Sequence, residues 1–352
     1  MCLMPEGEYL QYGGQAIIEG IMMRSPHYFS VACRAPNGKI ILQTEALEKT
    51  WIGRQKWLKA PFLRGTFAIL DAIALGNRAM KFAGNVQMGT EYQPVEEGAE
   101  SAIEHIQTGP EHQRIQNITI GVALILGLAI GIFIFNMLPN LIAQWTQSLG
   151  WKTDVQTNIV TEVIKIIFFL GYIWAIGTFF KDIKEVFKYH GAEHQAINVI
   201  EAGEELTMEN CLNMTRLHPR CGTSFAIIVL LVGFAVFTFV PRNPFHLANN
   251  FAIVGVRIVM EVMLLPIIAG VSYELLRIAG KMKNKTLVTI LFWPGLMTQY
   301  LSTRPPEPKH TEVSRVALMA VLLAEETGEL ATEPETVLSK PVEDYKLQVA
   351  RA

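Results

Sequence analysis

The chain has 352 residues, enough for two ordinary domains, and half of it is hydrophobic while only 18% is charged. That charged share falls below the roughly 25% of a soluble domain, which excludes a wholly water-exposed fold and indicates a membrane composition. A formal net charge of −2 supplies no basic field for a nucleic-acid partner, and four cysteines, Cys2, Cys33, Cys211 and Cys221, are too few and too scattered for a disulfide framework.

Residues 1–52 read as a β-rich cytoplasmic unit. Runs at Ala16 to Met23, Tyr28 to Arg34 and Ile40 to Thr44 carry strand-type residues, and Pro36-Asn37-Gly38 marks a hairpin because Asn and Gly tolerate positive φ. No basic and apolar leader opens the chain, so insertion is expected to rest on internal spans. Residues 53–88 turn helical, but Arg64, Asp71, Arg78 and Lys81 interrupt the apolar run, which predicts an amphipathic segment lying on the membrane. Residues 89–115 hold Glu91, Glu96, Glu97, Glu100 and Glu104 among glycines and prolines, the composition of an acidic linker.

A membrane domain is expected over 116–300, with spans at 118–138, 158–180, 224–240 and 254–276. Each is long enough, at about 1.5 Å per residue, to cross most or all of a hydrocarbon core of about 30 Å. The run Leu287 to Met297, broken by Pro294 and Gly295, is too short to cross and is expected at the interface. Lys181, Lys184, Lys188, Arg216 and Arg220 lie in loop 181–223, and Arg277, Lys281, Lys283 and Lys285 follow the fourth span. The opposite loops offer only Lys152 and Arg242. The positive-inside bias therefore places both termini and loop 181–223 in the cytoplasm of a bacterial inner membrane. Residues 301–352 complete the chain as a C-terminal cytoplasmic helix and a disordered tail beyond about Leu330. The fold class is thus a mainly α membrane protein, with about four transmembrane helices, a small N-terminal β-rich unit and interfacial helices.

Chemistry concentrates in loop 181–223. His190-Gly191-Ala192-Glu193-His194 sets two imidazoles four residues apart, on one face of a helix if the second span continues into the cytoplasm, with Glu193 to one side as a general-base candidate and Glu201 on the same stripe. His218-Pro219-Arg220-Cys221-Gly222-Thr223 offers an imidazole and a thiol three residues apart, suited to zinc. The same segment also reads as a turn with a helix cap at Thr223 or Ser224. Glu274 belongs to the same membrane side, where it can instead be a neighbour of Arg277. Glu162 with Lys165, and Arg257 with Glu261, are charges within spans that must face protein, as salt bridges or as a polar pathway.

Four ordered stretches give a resemblance to a family. They are Gly13 to Arg24 (Gly-Gly-Gln-Ala-Ile-Ile-Glu-Gly-Ile-Met-Met-Arg), Tyr189 to His194, His218 to Phe225, and Pro294-Gly295-Leu296 followed by Gln299. Together they resemble the YqhQ family of bacterial membrane proteins over roughly Gly13 to Ala324. The resemblance implies a metal-dependent enzyme and supplies no substrate. Ser302-Thr303-Arg304-Pro305-Pro306 departs from the Thr-Thr-Arg-Glu-Pro-like run expected there. Glu19 and Arg24 can reach each other or a ligand.

The functional expectation is a cytoplasm-facing divalent transition-metal site, of zinc type, with ligands His190, His194, His218 and Cys221. Glu193 would be the catalytic base of a hydrolase acting on a membrane-associated substrate. The expected partners are membrane lipid and an unknown membrane-associated substrate or protein. The alternatives are a membrane scaffold or assembly factor with a structural metal site, and a small transporter.

Overall fold

A computed structural model describes residues 12–47, 63–94, 122, 125–147, 150, 153–280 and 285–339. The parts of the expected segments at 1–11, 48–62, 95–121 and 340–352 lie outside the described residues, and with them Cys2 and most of the acidic linker. The chain divides into two compact units, one of Met1–Pro94, Ile173–Ile228 and Ala269–Ala352 and the other of Val95–Tyr172 and Val229–Ile268.

The first unit holds an antiparallel sheet in the order β1 (Gly13–Ile17), β2 (Gly20–Arg24), β3 (Tyr28–Arg34) and β4 (Ile40–Ala46). The Asn37-Gly38 hairpin forms as expected, with Gly38 at φ 85 and its N–H bonded to the Ala35 carbonyl at 2.9 Å. The run Ala16 to Met23 is not one strand. It folds back at Ile18-Glu19, where Glu19 takes φ 49, a conformation uncommon for any residue with a Cβ.

Both sheet faces are covered, because strand residues alternate sides. One face presents Ile21, Met23, Ala32 and Leu42 to helices α4 (Lys181–Glu201) and α9 (Pro308–Thr327). The other presents Ile17, Met22, Phe29, Val31 and Cys33 to α1 (Leu63–Met88) through Leu75, Ala79, Ala83 and Val86. The outward face of α1 leaves Leu70, Ile73 and Met80 exposed, the distribution expected of an interfacial helix. Helix α9 is the centre of this unit: every residue from Val316 to Ala324 is buried. Ser30 and Ser314 fix its distance by donating to the carbonyls of Ala317 and Ala192 at 2.7 and 2.9 Å. A short helix α10 (Pro334–Leu338) follows and buries Val337, so order continues past Leu330.

Four helices are long and apolar enough to cross a membrane: α2 (Ile125–Thr146), α3 (Asp154–Phe179), α6 (Gly222–Phe239) and the Phe251–Leu276 part of α7 (Asn250–Gly280). Helix α2 passes the expected end at Leu138 despite Pro139. A π-helical turn at Phe133–Met137 shifts the hydrogen-bond ladder just before the proline, which has no N–H to give. The second span does not run on into the next helix, because Phe180 is extended (φ −104, ψ 117) and α4 starts afresh at Lys181.

In the second unit the intraspan charges pair with one another. Lys165 Nζ meets Glu162 at 3.2 Å and Glu261 at 2.6 Å, and Arg257 meets Glu162 at 3.3 Å and Glu261 at 3.5 Å. Both cations also lie over the Phe237 ring, at 5.6 and 5.8 Å. Arg242, expected as a loop charge, is buried, and neutral oxygens of Asn140, Asn158 and Thr161 receive its guanidinium.

Candidate metal centre

Helix α4 carries the first half of the site. Gly191 is required there because the backbone of the segment after α8 (Lys285–Ser302) crosses the helix at that point, and a methyl group on Gly191 would meet the Arg304 carbonyl oxygen. The close approach lets His190 Nδ1 donate to the Ser302 carbonyl at 2.8 Å. Gly191→Ala should therefore cost about 1–3 kcal/mol of stability through overpacking. It should also disturb His190, and thermal unfolding read beside metal content checks both.

His194 is oriented in the same manner, its Nδ1 donating to the Arg216 carbonyl at 2.6 Å. A carbonyl only accepts, so these partners assign the ring proton of each neutral imidazole to Nδ1 and leave each Nε2 with a lone pair. His190 Nε2 lies 3.1 Å from Cys221 Sγ, and His194 Nε2 is buried without a hydrogen-bond partner. Donor atoms of His190, His194 and Cys221 all fall within 4.8 Å of one another. Cys221 Sγ also lies 3.1 Å from Thr223 Oγ1 and receives the Thr223 N–H at 3.4 Å, as the first turn of α6 wraps the sulfur.

The electrostatics favour a thiolate. Burial alone would raise the Cys221 pKa, but the imidazole of His190, then that of His194, brings it well below the ordinary thiol value. Burial alone would lower His190, yet Cys221 opposite it drives the imidazole up to about 9. Without an ion, a proton shared between His190 and Cys221 balances the sulfur. A cation bound there would displace that proton. Two imidazoles and a thiolate form a donor set of the kind that suits zinc, and three such groups would leave a fourth position for another ligand.

His218 lies beside this group, its ring 5.7 Å from that of His194, but its Nε2 faces Glu201 Oε1 at 3.1 Å. Glu201 also pairs with Arg220, so the expected stripe-mate of His194 serves the His218 segment. Burial lowers the His218 pKa. Its backbone is held from both sides by the buried Gln299, whose Oε1 receives the His218 N–H at 2.8 Å and whose Nε2 donates to the His218 carbonyl at 2.7 Å and to Ser224 Oγ at 2.7 Å. Glu193 is buried on α4, close enough to favour the charged forms of His190 and His218, although burial still leaves His218 below its ordinary value. Its Cγ lies 2.9 Å from the position a Cβ on Gly14 would take, so β1 backs directly onto it. Glu19 receives the Tyr189 hydroxyl at 3.1 Å and Arg24 pairs with Asp71 at 2.6 Å, so these two do not reach each other. Glu274 is not part of the three-residue donor group. The orienting carbonyls of Ser302 and Arg216 had no sequence signal, because a backbone acceptor is independent of residue type.

A family model described as "Protein of unknown function (DUF1385)" matches residues 60–324, which takes in every site residue from His190 to Gln299 and begins after the Gly13 to Arg24 stretch. The protein described as "Uncharacterized protein YqhQ", from Bacillus subtilis (strain 168), is 31% identical over 324 residues, covering 92% of this chain and 96% of that one. No solved structure matches.

Proposed function

Since the chain belongs to the DUF1385 family, we propose its role from the site itself: a multi-pass membrane protein that holds zinc on His190, His194 and Cys221 and hydrolyses a membrane-associated substrate. One observation carries this reading. His194 Nε2 is a buried imidazole nitrogen with no hydrogen-bond partner, on a residue whose donor atom lies within 4.8 Å of those of His190 and Cys221, and leaving such a nitrogen unmet costs stability that a bound cation would restore.

The ion, when bound, supplies Lewis acidity to the scissile group. Ser302 and Arg216 fix the two rings through their Nδ1 protons and make each Nε2 more basic, as outer partners of metal-binding histidines do. Glu193 takes the proton of the attacking water, on the side of α4 that β1 closes. His218 stands ready beside His194, positioned by Gln299 and Glu201. The lysine and arginine bias supports a site on the cytoplasmic face of the inner membrane.

The second reading is a structural staple in which His218 fills the fourth position, favoured by its ring lying 5.7 Å from His194. Glu193→Gln separates the two. It keeps size and hydrogen bonding but removes the basic oxygen. A catalytic site should retain its metal and thermal stability yet fail to complement a deletion strain. Complementation at the wild-type level would refute the catalytic role of Glu193 and leave the staple.

A further inference from the structure

A cavity of about 290 Å³ adjoins the Arg216 segment that orients His194, lined by residues that include Gln195, Leu212, Arg216, Tyr300 and Pro306. Its volume is at the small end for ligand pockets, which run from about 300 Å³ upward. It shares a wall with the metal centre, since the Arg216 carbonyl receives His194 Nδ1, but none of His190, His194 and Cys221 lines it.

Two features of Arg216 point to an occupant. Its guanidinium is set in place before any ligand arrives: Nε donates to Thr303 Oγ1 at 3.1 Å, and Cζ lies over the Tyr300 ring, 5.4 Å from its centroid. Among the described residues no carboxylate pairs with it, whereas Arg24, Arg34, Arg78 and Arg220 each meet one. The lining thus offers a fork of N–H donors for an oxyanion. Arg216 precedes the apolar helix starting at Gly222 by six residues, so it belongs to the polar end of a span, where phosphates are the prevailing anions.

We propose that this cavity binds a phosphate ester, the phosphate on Arg216. A bidentate guanidinium–phosphate contact gives the affinity. The site does not depend on the metal reading. The same chemistry occurs in a free glycerol phosphate and in a phosphatidylglycerol headgroup, and the test separates them.

The full chain in phosphatidylcholine nanodiscs would be titrated calorimetrically with sn-glycerol 3-phosphate, and the chain from phosphatidylglycerol nanodiscs would be examined by native mass spectrometry for retained lipid. Binding in the first arm identifies a soluble ester, and retention in the second identifies the headgroup. Arg216→Gln should weaken whichever is seen by roughly 10- to 100-fold. Leu212→Trp, which fills the cavity from a partly exposed position without touching Arg216, should abolish it even if Arg216→Gln misfolds. Arg78→Gln, an equal loss of charge on α1, which packs on the sheet face opposite α4, should leave it unchanged. Absence of both ligands, wild-type binding by either cavity variant, or an equal loss in Arg78→Gln would overturn the proposal.

Discussion

Cys221→Ser is expected to strip zinc from the purified protein, taking it from near one ion per chain to near none. The substitution changes one atom, so the fold around the first turn of α6 has little to adjust to. The hydroxyl cannot ionise as the thiol does, so the soft anionic member of the donor set disappears. His190, driven up to about 9 by the sulfur opposite it, would return toward the lower value that its burial imposes. Loss of a ligand should exceed the roughly 10- to 100-fold in affinity that an outer-shell partner carries. Metal analysis after gentle purification, with competition against a chelator, reads the effect, and Trp174→Phe on the exposed side of α3 serves as the control that keeps its zinc. Wild-type protein that purifies without metal and is indifferent to chelator would end the metal assignment.

The second large effect lies in the other unit. Glu162 and Glu261 are balanced by Lys165 and Arg257, all four buried or nearly so, and Arg257 is 1% exposed. Arg257→Met should cost about 3–5 kcal/mol, because it leaves two carboxylates sharing one ammonium in a medium that cannot solvate the excess charge. Adding Glu261→Gln restores neutrality and should recover more than half of the loss. Denaturation in detergent micelles across the double-mutant cycle measures this coupling. A single-variant cost below about 1 kcal/mol would mean that these charges are solvated, and the paired network would not be what holds the spans.

The four apolar helices were legible because a span must be long and nearly uncharged, a constraint no local detail can disguise. What escaped was decided by single backbone events. The reversal at Ile18-Glu19 has no Gly, Asn or Asp to announce it, and Glu19 adopts its positive φ within a sheet whose other contacts fix it. The passage of α2 through Pro139 depends on a π turn that leaves no mark in composition. At the candidate site, spacing pointed to His190, His194 and Cys221, whose donor atoms lie within 4.8 Å of one another. The different placement of His218 depends on Glu201 and Gln299, 17 residues before it and 81 after it, and contacts at such separation are set by tertiary packing. Gly191 was readable as a glycine in a helix, but its reason, the Arg304 carbonyl crossing the helix, belongs to a segment more than a hundred residues away.

The end of α8 has a consequence for how the protein is made. Ser302 fastens His190, and Gln299 fastens the His218 backbone, so both halves of the donor group are anchored to one short stretch that the ribosome delivers after them. Cys221 leaves the ribosome 81 residues before Ser302, and until that stretch arrives His190 lacks its orienting carbonyl and the His218 backbone lacks Gln299. The proposed ion is therefore expected to enter only after translation has passed Ser302, and a nascent chain stalled before that point should not retain it.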